Sequence, residues 1–360
     1  MSVVLDISRL EPRQVLFAPS PLSELAEMLH VLSAPDHHPG LRAWATATAT
    51  GLSSGLADRL AEADFLWHAT RADILLPARP AATLAEELDA LDERDDETFV
   101  ASALEISCMA QYHRGVPQPL ISAKDAQEAR ERAAIRGPRQ AAFADRLLTD
   151  PRGVRAWLRR LFQDCEREFF ADAWHDARTR LYADARHKTE LLRRKGLAPA
   201  LTAISPALQL DDQQQRLVID KLVDGAGTTS DLGLTCIPTA FGRPHLVTMI
   251  TPGWRPVIQY PITTPDLPRP MTVNLLQARL EALAHPVRMR MCRALARGSH
   301  TTGELAAAHG LTAPEASRHI ARLKKAGLIT TQRRGRYVGY QLDLNTVARL
   351  GSDFLDSLLR

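Results

Sequence analysis

The stretch that most constrains this chain runs from Thr312 to Leu328, Thr-Ala-Pro-Glu-Ala-Ser-Arg-His-Ile-Ala-Arg-Leu-Lys-Lys-Ala-Gly-Leu. Thr312 followed three residues later by Glu315 has the form of a capping box. Pro314 falls in the first turn, where its missing N–H costs nothing, and Gly327 supplies a stop. At about 100° per residue, Ala313, Ala316, Ile320 and Leu323 share one face, while Glu315, Arg318, Arg322 and Lys325 share the opposite one. The segment is expected to be a helix with a packing face and a cationic face. Alone, such a helix is an ordinary solvated surface element, so its neighbours decide its meaning.

Thr301 and Glu304 form a second capping box, opening a short helix from Thr302 to His309 whose Leu305 and Ala306 can face a core before Gly310 stops it. Two helices joined by a tight glycine-containing turn make a helix-turn-helix, in which the second helix enters a DNA major groove. Leu328 to Arg334 and Tyr337 to Leu342 are rich in β-formers and flank Gly335, predicting a hairpin with Arg333, Arg334 and Arg336 at its tip. Two further helices, Leu275 to His285 and Pro286 to Arg297, precede the pair. Charge follows the same division. The whole chain is +3, but from Leu275 onward 14 Lys+Arg face 6 Asp+Glu, a net of +8, leaving 31 against 36, a net of −5, for the rest. A polyanionic partner therefore suits the C-terminal segment only.

The run Ala282-Leu283-Ala284-His285-Pro286-Val287-Arg288, then Glu304-Leu305-Ala306, Ser317 to Leu323, Ala326-Gly327-Leu328-Ile329 and the Arg-Gly-Arg-Tyr turn closely resembles the ArsR/SmtB family of winged-helix repressors over about 85 residues. The resemblance implies a homodimer held by the first and last helices of the module, Leu275 to His285 and Thr346 to Leu359, on a near-palindromic operator. Many members sense metals through cysteines after the Glu-Leu pair, or through Asp and His on the last helix. Here those places read Ala306-Ala307-Ala308-His309, and Asp353 with Asp356 but no His or Cys, so neither metal site is expected to survive. Cys292 reads as a buried structural thiol. Ser317, Arg318 and Arg322 are assigned to base edges or nearby phosphates, Thr312, His319 and Lys325 to the DNA backbone, and Arg333, Arg334 and Arg336 to the minor groove or its edge.

The expected organisation is mainly α, a helical N-terminal domain with a small antiparallel β portion followed by a C-terminal winged helix-turn-helix domain. Residues 1–262 form the first, 263–274 a proline-rich linker, and 275–360 the second. Ser2 to Ile7 alternates like a strand, and Leu22 to Leu32 is a helix. From Leu41 to about Gly196 the pattern is helical almost throughout, over Ser53 to Trp67, Thr83 to Asp92, Glu97 to His113, Ala123 to Ile135, Arg139 to Leu148, Val154 to Phe170 and Trp174 to Lys195. Near residue 205 the pattern changes to short β-type runs, Leu217 to Ile219, Gly233 to Pro238, His245 to Ile250 and Pro256 to Tyr260. This N-terminal region is similar to an uncharacterised domain that precedes ArsR-type winged helices in some bacterial regulators. The similarity implies architecture, not activity.

No phosphate loop, HExxH or GxSxG pattern is present, and no enzyme activity or cofactor is expected. The tandem His37-His38 could bind a metal, but a solvated turn is the plainer reading, since no further ligands lie near in sequence. His175 and His187 fall on one helix some 18 Å apart along its axis, too far to share an ion. No metal is expected. Trp44, Trp67, Tyr112, Trp157 and Trp174 are weak candidates to line an organic-ligand pocket, against the plainer role of filling an interhelical core. Cys108, Cys165, Cys236 and Cys292 have no metal-type or CxxC spacing, and no apolar run approaches 18 residues, so a reduced, cytoplasmic protein without membrane contact is expected. The expected function is that of a dimeric repressor released from double-stranded operator DNA by a small organic effector sensed in the N-terminal domain. The alternative is an enzyme or protein-interaction module fused to the DNA-binding domain.

Overall fold

The structure, a computed structural model, describes the chain except for residues 1, 69–70, 109–121, 212, 214, 222–223, 252–253, 263–270, 335–336 and 359–360. The chain divides into two compact units, Met1–Pro268 and Arg269–Leu359. The proline-rich stretch 263–270 lies outside the described residues.

Unit 1 opens with strands β1 (Ser2–Asp6) and β2 (Val15–Phe17). Helices α1 (Pro21–Ser33), α2 (Arg42–Gly51), α3 (Ser54–Ala63), α4 (Leu84–Asp92), α5 (Asp96–Cys108), α6 (Ala123–Arg136), α7 (Pro138–Thr149), α8 (Pro151–Cys165), α9 (Ala171–Lys195) and α10 (Leu197–Thr202) follow. The unit closes with β3 (Leu208–Asp211), β4 (Arg216–Asp220), β5 (Gly225–Thr228), β6 (Leu234–Thr239), β7 (Val247–Met249) and β8 (Val257–Pro261). Between α8 and α9 one wide π-type turn, Glu166–Phe170, carries the helix on, at the end of the segment Val154 to Phe170 expected to be helical.

The strands form two four-stranded sheets, ordered β3-β4-β1-β5 and β2-β6-β8-β7. Both are mixed, not wholly antiparallel. β1 runs antiparallel to β4, with Leu5 opposite Leu217, but parallel to β5, and β6 runs parallel to both β2 and β8. Parallel partners need a long crossover, and the whole helical region lies between β2 and β6. β1 alternates as a half-buried strand should, with Val3 and Leu5 inward. β6 is buried along its full length, its Thr235 and Thr239 included.

α1 is buried on almost every side and packs against α2, α4 and β6 within the helical core. Its N-terminus is closed by Ser20, whose Oγ accepts from Ser23 N, and by Glu87 of α4. The Glu87 carboxylate accepts from Ser20 Oγ (2.9 Å), Leu22 N (2.7 Å) and Ala81 N (3.0 Å). Burial pushes this carboxyl up to about 7, against the pull of those donors. Farther along, Glu27 receives Arg71 in a fully buried, two-pronged ion pair, with nitrogen to oxygen distances of 2.6 and 3.0 Å. A second core joins the sheets to α9 and α10 through Leu5, Leu192, Leu201, Leu217, Cys236 and Tyr260.

Unit 2 comprises α11 (Val273–Leu283), α12 (Pro286–Leu295), β9 (His300–Thr301), α13 (Thr302–His309), α14 (Ala313–Lys325), β10 (Ile329–Arg334), β11 (Tyr337–Leu342), α15 (Leu344–Ala348) and α16 (Leu350–Leu358). Met291, Leu295, Leu305, Ile320, Leu323 and Leu328 meet in its core. β10 and β11 pair antiparallel, and β9 adds a short third strand beside β11. Asp353 on α16 is buried and lies 3.3 Å from both Arg279 of α11 and Arg349, fastening the first and last helices together. Among the described residues, no helix of either unit is long and apolar enough to cross a membrane.

Candidate nucleic-acid interface

Both helices of the turn are capped by their own sequence. Thr301 Oγ1 accepts from Glu304 N while Glu304 returns to Thr301 N, and Thr312 and Glu315 repeat the arrangement on α14. The backbone and side-chain hydrogen bonds of Thr312 hold the Glu315 carboxyl below its usual range, so the box stays charged near neutral pH. Gly310 ends α13 at φ +63°, a left-handed conformation that glycine adopts without a Cβ penalty.

On α14, Ala316, Ile320 and Leu323 are buried, whereas Ala313, predicted to share their face, is exposed in the first turn ahead of the core contact. Ser317, Arg318, Arg322 and Lys325 all face solvent. Among the described residues, none of the three cations has a carboxylate within ion-pair distance, although Arg318 lies near enough to Glu315 to help hold its carboxyl down. The two other positions assigned to the DNA backbone are more constrained. Thr312 Oγ1 is occupied by Glu315, at 2.8 Å. His319 is half-buried, its ring 4.9 Å from that of His285. Burial, then His285, Arg288 and Arg318, depress its pKa, so it offers a hydrogen bond and not a charge. Arg333 is exposed on β10; Arg334 ends that strand, and Arg336 lies outside the described residues.

A model described as a family of unknown function (DUF5937) matches residues 1–266, and one described as a helix-turn-helix domain matches residues 283–332. The chain belongs to the DUF5937 family. The C-terminal unit of this DUF5937 protein is a winged helix-turn-helix domain. The biofilm growth-associated repressor of Agrobacterium fabrum (strain C58 / ATCC 33970) is 35% identical over 71 residues, 20% of this chain and 61% of that one. The chain thus spans less than two thirds of that curated relative. The solved structure of the transcriptional repressor BigR from Xylella fastidiosa is 29% identical, covers 22% of this chain and 81% of its own, and has a TM-score of 0.20. The homodimeric winged helix-turn-helix domain of Mb0332 from Mycobacterium bovis is 29% identical, covers 22% and 74%, and has a TM-score of 0.21.

In the DUF5937 region the aromatic side chains serve the helical core and do not converge. Trp67 is fully buried, its Nε1 donating to Ser33 Oγ at 2.9 Å. Trp44 meets Phe241 edge-on, Trp174 stacks on Phe170, and Trp157 lies beneath Arg146. Tyr112 lies outside the described residues. The larger departure concerns histidine. His38 is 2% exposed and not in a solvated turn. It meets His30 from α1 and His245 from the segment before β7, and the three offer ring nitrogens within 4.8 Å of one another. His37 stands beside them, 5.5 Å from His30 and 5.7 Å from His245 by ring centroids. Two hundred and more residues separate His245 from the others in sequence, so only a folded chain shows the group.

Proposed function

We propose that the protein is a dimeric repressor that reads operator DNA with Ser317, Arg318 and Arg322 on α14, while Lys325 and the wing arginines Arg333, Arg334 and Arg336 hold the phosphates. The observation that carries the reading is the set of exposed cations on α14 without carboxylate partners, on a helix braced by α13. His319 keeps a place beside the backbone through its ring N–H, while the Thr312 amide and hydroxyl both donate to Glu315, so Thr312 serves there by capping α14. Arginine can donate two hydrogen bonds to guanine O6 and N7, and Arg318 is the first choice for that contact. Dimerisation is supported by apolar side chains left exposed on the first and last helices of unit 2, Val273, Leu275 and Leu280 on α11 and Phe354, Leu355 and Leu358 on α16. Two recognition helices related by a two-fold axis match half-sites about 34 Å apart.

The signal is proposed to enter through the N-terminal unit. Within the winged helix Asp353 is committed to Arg279 and Arg349, and the described residues hold no ligand cluster there. An organic effector held between tryptophans draws no support from the way Trp44, Trp67, Trp157 and Trp174 are packed. The deciding experiment is DNA binding by fluorescence anisotropy, after selecting the operator from a random duplex library. Arg318→Ala is expected to lose about 1–3 kcal/mol on the selected site and to blur base preference. Wild-type affinity and preference in that variant would overturn the assignment.

A further inference from the structure

We propose that His30, His38 and His245 bind one divalent first-row transition metal ion of the zinc class. The site lies wholly within unit 1 and does not depend on the DNA-binding reading.

Hydrogen bonding fixes two of the three imidazoles in a ligating form. His30 Nδ1 lies 2.9 Å from Trp67 O, and His38 Nδ1 lies 2.6 Å from Arg243 O. A carbonyl oxygen only accepts, so each Nδ1 carries the proton and each Nε2 keeps its lone pair. This arrangement, in which the second ring nitrogen donates to a carbonyl, is how proteins orient metal-binding histidines. His30 Nε2 is 2.9 Å from His245 Nε2, and with His30 as acceptor the proton between them belongs to His245. Metal binding therefore asks His245 to move that proton to Nδ1, while His30 and His38 change nothing.

Spacing and solvation point the same way. The rings of His30, His38 and His245 lie 4.7 to 5.1 Å apart by centroid, each pair edge-on. Three nitrogens on a tetrahedral zinc ion, at about 2.0–2.1 Å each, sit about 3.3–3.4 Å from one another. The His30–His245 pair needs to open by only a few tenths of an ångström. His38 Nε2 is buried and has no hydrogen-bond partner among the described residues, and neither has His37 Nδ1 at the rim of the group. A buried acceptor aimed at two other imidazoles and left unbonded is unfavourable, and a cation satisfies it. The nearby guanidinium of Arg71 would oppose a cation, but Glu27 neutralises it through both carboxylate oxygens. Three neutral nitrogen donors suit zinc, cobalt, nickel or copper and not the oxygen-seeking magnesium or calcium. His37 or water completes the fourth position.

The test uses the full chain stripped with a chelator and titrated with Co2+ and Zn2+ alone. One equivalent of Co2+ is expected to give the intense visible bands of a four-coordinate ion, displaced by Zn2+. His38→Ala is expected to weaken Zn2+ binding more than about 100-fold, beyond what loss of an outer-shell partner costs, and to abolish the rise in Tm that Zn2+ gives the wild type. His38→Ala also removes the Nδ1–H bond to Arg243 O, so His245→Ala is the second variant, with circular dichroism confirming folding of both. The double variant of the exposed His175 and His187, H175A/H187A, is expected to bind as the wild type does. The proposal is overturned if the folded wild type takes up no Co2+ at millimolar metal, if one-equivalent binding survives both His38→Ala and His245→Ala, or if H175A/H187A removes it.

Discussion

Arg318 is exposed on α14, and in the proposed reading the contributions of its charge and of its fork geometry can be separated. Arg318→Lys keeps the charge but loses the paired donors, so the salt dependence of binding should stay unchanged while discrimination against the wrong base falls by about 1–3 kcal/mol. Affinities on matched and mismatched duplexes across a salt series check this. In the other unit, Glu87 serves three donors with two acceptor oxygens. Glu87→Gln puts an NH2 group against one of them, and the buried donor left unpaired should cost about 1–3 kcal/mol in urea unfolding. Local residue roles such as the caps at Thr301 and Thr312 were legible in sequence, because a capping box lies within four residues. The association of His30 and His38 with His245 was not, since no local pattern records which distant loops meet.

Among the elements, the proposed reading gives the wing a hold on any duplex and α14 a preference for particular ones. Arg333→Ala is expected to weaken binding to all sequences by a similar factor and to lower the slope of log K against log salt by about 1, read from the same titrations. Helix α14 was legible because its 3.6-residue period is strong and its ends are punctuated. Ala313 is the exception, since it lies in the first turn before the helix reaches the core. β5, with the sequence Gly-Ala-Gly-Thr, has only Thr228 among the residues that favour strands. Its place is set by pairing with β1 and by close approach: a Cβ on Gly227 would come within 2.1 Å of Ile250 Cγ2. β2 is three residues long, too short for alternation to show.

At the scale of the molecule, the exposed leucines of α16 supply a test of assembly. Replacing Leu355 and Leu358 together with lysine should leave the fold intact, since both side chains already face solvent. Sedimentation of the full chain should shift from dimer to monomer, and operator affinity should fall with it. The division into a helical region and a β-containing region could be read from the change of period near residue 205. The mixed pairing of the two sheets could not, because direction is fixed by where β1 and β2 dock and not by their own composition. That docking bears on how the chain is made. β1 lies between β4 and β5, and β2 is the edge partner of β6, so during synthesis these two segments wait for more than two hundred residues before their neighbours exist. The helices can collapse meanwhile, since most of their contacts are close in sequence, but the sheets close late and all at once. Nascent chains arrested before residue 216 should therefore present β1 unpaired, and chaperones that hold such strands would meet this protein before its sheets close.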